Sequence, residues 1–161
     1  MGIAARQNST TVRAQAEILD DALQSAAGGG HESLVRMLLA NGADVNAAQR
    51  KYSWTALYAA SARGHQSVVQ LLLDSGADIH ACIDIYGDAL NGASTHGHTA
   101  IVQLLLDSGA DVNAQDELGN SALHVASEEG HEAVVWLLLD NGADFNKKGS
   151  WAAVPSVAAA N

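Results

Sequence analysis

The sequence predicts an all-α solenoid, four stacked helix-turn-helix units with a partial fifth. Three observations carry that reading. A Gly-His pair recurs at Gly30, Gly64, Gly97 and Gly130, at spacings of 34, 33 and 33 residues. A Gly-Ala-Asp triplet beginning at Gly42, Gly76, Gly109 and Gly142 keeps step with it. The composition agrees: aromatics are 4% of a 161-residue chain that is 48% hydrophobic, so the core is built from small residues and aliphatics. A period of this length marks units that cannot bury both faces alone and are stabilised by their neighbours.

Residues 1–17 read as a frayed lead-in, helical from Ala14. The units follow at 18–46, 47–80, 81–113 and 114–146, with 147–161 as the incomplete fifth, a weak C-terminal cap. Each unit begins with an Ala-rich stretch: Ala22–Ala27, Ala56–Ala62, Ala89–Ser94 and Ala122–Ser127. Small side chains there let helices approach closely. After Gly-His come Leu34-Val35-Arg36-Met37-Leu38-Leu39 and its counterparts starting at Val68, Ile101 and Val134. Their apolar positions at i, i+1, i+4 and i+5 line one face of a second helix. Glycine in the left-handed conformation ends both helices of a unit.

Thr55-Ala56-Leu57-Tyr58 and Ser121-Ala122-Leu123-His124 each lead into Gly-His, Val-Val-x-Leu-Leu-Leu and Gly-Ala-Asp. Over roughly residues 18–146 this resembles the ankyrin repeat. Asp21-Ala22-Leu23-Gln24 and Gly87-Asp88-Ala89-Leu90-Asn91 are similar to the Gly-Asn-Ala-Leu-Gln subtype of fungal arrays. The resemblance implies β-hairpin loops at right angles to the helix pairs, an L-shaped section and a concave binding surface. Several positions depart from the pattern. Unit two carries one extra residue between Asn46 and Thr55. Unit three has Tyr86 where a hairpin glycine belongs, with Gly87 one place later. His80 replaces the asparagine after Gly-Ala-Asp, a position whose side chain satisfies loop backbone, and an imidazole can do the same. In the fifth unit Pro155 falls at the family's proline, but Ser156 stands where leucine belongs.

Charge narrows the partner. The chain has a net charge of −10, which disfavours the phosphate contacts of nucleic-acid binding. Residues 64–146 hold thirteen Asp and Glu and no Lys or Arg, a sustained acidic surface suited to a basic segment. The only cysteine, Cys82, excludes an internal disulfide and suits a reducing compartment. The start lacks the apolar segment of a signal peptide, and the longest apolar run, Ala133 to Leu139, is too short to cross a membrane. The expectation is a cytoplasmic protein, with a nuclear setting also open.

Candidate contact residues cluster on the predicted fingers and inner helices. Tyr52, Trp54 and Tyr58, flanked by Arg50, Lys51 and Arg63, offer aromatic anchors beside cations, a pairing common at interface centres. The competing reading folds Trp54 back over the longer loop. The aligned surface continues through Asp84 and Ile85, then Glu117 and Leu118, with His96, Glu128 and Glu129 at the inner-helix ends. The surface thus grades from aromatic and basic to acidic and aliphatic.

The recurring histidines read as structural, one per turn and about one helix-packing distance apart, too far to share an ion. His96-Gly97-His98 lacks a convincing third ligand, so no metal and no cofactor are expected. No nucleophile elbow, phosphate loop or His-Glu-x-x-His is present. The sequence therefore predicts a monomeric module that binds a protein or peptide. The alternative is an enzyme or small-molecule binder using Tyr58, Asp84, His96 or Glu129, which a closed cavity lined by Tyr58, Asn91 and His124 would favour. Trp136, on the outward side of a second helix, is expected either to lie under the tail around Trp151 and Val154 or to mark a self-association surface.

Overall fold

The computed structural model describes residues 3–48, 54–83 and 86–147. Eight helices follow one another there: α1 (Ile3–Gly28), α2 (Glu32–Ala40), α3 (Ala56–Ala62), α4 (Gln66–Asp74), α5 (Ala89–Thr95), α6 (Thr99–Asp107), α7 (Ala122–Glu128) and α8 (Glu132–Asp140). Consecutive helices pack as pairs. The odd-numbered helices stack into an inner row, and the even-numbered helices into an outer one.

The pairing follows from local chemistry. Gly64 adopts φ +82° between α3 and α4, and Gly76 adopts φ +87° after α4, a region that L side chains enter only at a cost. The same two glycines recur in every unit, so no outer helix exceeds nine residues. At the inner N-termini, Thr55 Oγ1 accepts the Tyr58 N–H and Asp88 Oδ1 accepts the Asn91 N–H. Ser121 and His124 form a reciprocal capping box. The core alternates accordingly: Ala27, Ala60, Ala93 and Ala126 are buried on the inner row, against Val35, Leu72, Leu105 and Leu138 on the outer.

The lead-in differs from its sequence reading. α1 already begins at Ile3, well before Ala14. Nothing between Ile3 and Ala27 is Gly or Pro, and Arg13 pairs with Glu17 one turn on at 3.3 Å. An uninterrupted run of helix-compatible residues simply extends the first inner helix.

Histidine and asparagine tie each unit to the next. The Nε2–H groups of His65, His98 and His131 donate to the carbonyls of Gly28, Ala62 and Thr95, at 3.0, 3.2 and 3.0 Å. The recurring Gly-His histidine is therefore a rivet between units. In the loops, Asn46 donates to Gly76 O and accepts from Asp78 N. Asn113 repeats this with Gly142 O and Asp144 N. His80 occupies the matching place in the middle junction, and its ring forms no such pair among the described residues; only its backbone N–H is held, by Asp78 Oδ1. This corrects the expectation that an imidazole does the work of the asparagine. The amide offers a donor and an acceptor on one carbon, and a ring spaces them too far apart.

Candidate functional site

The fingers differ in build. In the third, the Ile83 N–H donates to Gly87 O at 2.8 Å, with Ile83 and Gly87 bridged across the turn. In the fourth, Gln115 bridges Ser121, and Asp116 Oδ1 accepts the N–H groups of Leu118 and Asn120 inside the tip. Gly87 takes φ +73°, whereas in the fourth finger the left-handed residue is Gly119, one place earlier in the aligned register. That shift puts Tyr86 where a glycine would stand and leaves it 47% exposed.

Tyr86 completes an aromatic triad. Its ring meets Trp54 edge-on at 6.0 Å between centroids and lies 6.5 Å from Tyr58, while Trp54 and Tyr58 are 5.8 Å apart. These separations suit favourable ring pairs. The sequence reading placed Tyr58 among exposed anchors, but it is 8% exposed. Its ring lies on the backbone of α5, where a Cβ at Gly92 would come within 2.9 Å of Tyr58 Cε2. The missing side chain at Gly92 makes room for it. Tyr58 thus supports the other two rings, and Trp54 is half-buried between them. The sequence reading left Tyr86 out of this cluster, although its displacement of the hairpin glycine was the visible signal.

The remaining predicted residues divide by position. Arg50, Lys51, Tyr52, Asp84 and Ile85 lie outside the described residues, as do Trp151 and Val154. Arg63 is exposed, but its Nη1 donates to Gly28 O at 3.2 Å, the carbonyl that His65 also uses, so part of its charge serves the unit interface. Glu117 and Leu118 are exposed at the fourth fingertip, and Glu128 and Glu129 at the end of α7. Trp136 stands 56% exposed on α8. The rings of His96 and His98 stack with centroids 6.1 Å apart, and each donates to a carbonyl, Gly92 O and Ala62 O.

Of the residues proposed for chemistry, Tyr58, His96 and Glu129 are among the described residues, and they do not converge. Tyr58 sits in the first turn of α3, whereas His96 and Glu129 are the C-cap residues of α5 and α7. Inner helices of seven residues separate those two ends by about 10 Å. Burial, with a smaller contribution from Tyr86, pushes the Tyr58 phenol above its ordinary pKa, which opposes a role as a base.

A polar cleft of about 190 Å³ opens elsewhere, lined by His80, Cys82, Asp88, Asn91, Asp111, Ala114 and Gln115. Neither Tyr58 nor His124 borders it, and it is smaller than the cavities that enclose metabolite-sized ligands. Burial first, then Asp88 nearby, pushes the Cys82 thiol up, so it is a poor nucleophile. Asp88 is almost fully buried, and loss of water pushes its carboxyl above the usual range, opposed by the N–H groups of Asn91 and Leu90. A raised folded pKa means that the folded chain holds more protons than the unfolded one just above the ordinary carboxylate value. The contribution of Asp88 therefore favours folding at low pH and turns unfavourable as pH rises through the raised value. Asp88→Asn keeps a capping oxygen. It is expected to raise the thermal midpoint at pH 7 and to lose that advantage below about pH 4. A lower midpoint than wild type at pH 7 contradicts the assignment.

A family model described as ankyrin repeats (3 copies) matches this chain over residues 1–82 and 83–149. No curated protein matches it. Matched along most of its length, and built from paired helices riveted through Gly-His and joined by short fingers, the chain belongs to the ankyrin-repeat family.

Proposed function

We propose that this chain binds a partner protein or peptide across its fingers and inner helices, with Trp54 and Tyr86 as the apolar anchor and the acidic second half receiving a basic segment. Ankyrin repeats in general are protein-interaction modules. The observation that carries the specific surface is the Trp54–Tyr58–Tyr86 triad, which joins the start of α3 to the third finger and so spans two units. Aromatic groups held in place before contact lose little entropy on binding, and half-buried Trp and Tyr dominate many interfaces. The proposed contact set adds Arg50, Lys51 and Tyr52, which precede Trp54 in the sequence, together with Asp84, Ile85, His96, Glu117, Leu118, Glu128 and Glu129. A monomer suffices for this mode, and a reduced Cys82 suits the cytoplasm. Trp136 remains available for self-association.

The test is a peptide library of graded charge, with calorimetry on the best binder. Basic members are expected to be retained over acidic ones, and Trp54→Ala to weaken the selected complex by about 1–3 kcal/mol with unchanged far-UV circular dichroism. Equal retention of acidic members, or an unaltered affinity, refutes the surface.

A further inference from the structure

The cleft at the base of the third and fourth fingers sits where the loop ties fail. Asn46 and Asn113 close the junctions on either side of it, each through one donated and one accepted bond. At the intervening junction His80 leaves the corresponding groups of the next loop untied among the described residues, and the cleft of about 190 Å³ opens between His80 and Asp111. We propose that this cleft receives the guanidinium of an arginine from the bound partner, held by Asp88, Asp111 and the side-chain carbonyl of Asn91.

The lining offers acceptors where a guanidinium has only donors. Asn91 is 2% exposed. Its Nδ2 makes a long bond of 3.4 Å to Asn120 O, and its Oδ1 has no partner among the described residues. A buried acceptor left unmade is costly, and an entering N–H removes that cost. Asp88 is also buried and borders the same cleft, with one oxygen engaged by the Asn91 N–H. Asp111 stands at the exposed mouth, its Oδ1 accepting the Asn113 N–H. A carboxylate stripped of water gains more from a neighbouring cation than a hydrated one does.

Other ligands fit less well. No three His, Cys, Asp or Glu side chains among the described residues are placed to hold a metal ion. An anion would face Asp88 and Asp111 with no Lys or Arg anywhere in residues 64–146 to compensate. The planar fork of arginine matches several acceptors at once, whereas a lysine ammonium is a point charge.

The inference rests on the reading of a basic partner, and it is tested without that partner. The full chain, labelled with 15N, is titrated with N-acetyl-arginine amide and, separately, with the neutral isostere N-acetyl-citrulline amide. Saturable shifts confined to the Asn91 and Gln115 side-chain amides and the His80 and Asp111 backbone are expected for the arginine compound alone. Asp88→Asn, with its spectral dispersion retained, is expected to weaken binding about tenfold or more, the range for a hydrogen bond to a charged group. Absence of saturable shifts, equal binding of the citrulline compound, or undiminished binding by folded Asp88→Asn overturns the proposal. Should Asp88→Asn not fold, the arginine–citrulline comparison on the wild-type chain decides alone. A failure here leaves the Trp54 dependence of peptide binding intact, and loss of that dependence leaves the cleft result intact.

Discussion

Gly97→Ala is expected to lower stability by about 2–5 kcal/mol and Gly130→Ala by only about 1–2 kcal/mol, although both fill the same place in the repeat. Their backbones are nearly alike, at φ +71° and +75°, so the cost of placing an L residue in the left-handed region is shared. The difference lies in the next unit. A Cβ at Gly97 would sit 2.7 Å from His131 Nδ1, whereas one at Gly130 meets nothing within 4 Å among the described residues. The His131 ring cannot swing aside freely, because its Nε2–H is held 3.0 Å from Thr95 O. Gly97→Ala must therefore either break the rivet or pry apart the units bearing α5 and α7. Urea denaturation of the two variants, with midpoints and slopes compared, measures the gap. Equal losses would mean that the histidine ring yields and that the glycine is there for its backbone alone.

Much of this architecture was legible because each signal was repeated. One Gly-His pair says little; four at one interval locate every inter-helix turn from Gly30 to Gly130. Individual deviations were harder to read. His80 was visible as a substitution, yet its consequence depends on Asn46 and Asn113 each bonding two groups of the following loop, a relation across about thirty residues. Tyr58 was assigned to the inner helix but taken as exposed, because its burial depends on the absence of a side chain at Gly92 in the next unit. Tyr86 was noticed as a misplaced hairpin residue, and its place in the aromatic triad shows only in its edge-on contact with Trp54. Lateral neighbours, one period away, decide each of these cases. The start of α1 was misjudged for the opposite reason: no periodic marker precedes Ile18, and with no Gly or Pro to stop it the helix runs back to Ile3.

Leu105→Ala is expected to destabilise the chain by about 2–5 kcal/mol, the range for emptying a packed leucine site, and to loosen helices on both sides of it. Leu105 is fully buried in α6, which packs against α4, α5 and α8. Leu138 is equally buried in α8, the last of the described helices, whose main packing partners are α6 and α7. In a stack held by nearest-neighbour contacts, one cavity of the same size has different reach at the two places. Leu138→Ala should cut hydrogen-exchange protection in α7 and α8 while α3 and α4 keep theirs. Leu105→Ala should split the stack, so that α3 and α4 exchange independently of α7 and α8. If Leu138→Ala strips protection evenly from α3 through α8, the helices share one cooperative core. The fingers bearing Trp54 and Tyr86 would then owe their rigidity to the whole chain, and not to the units on which they stand.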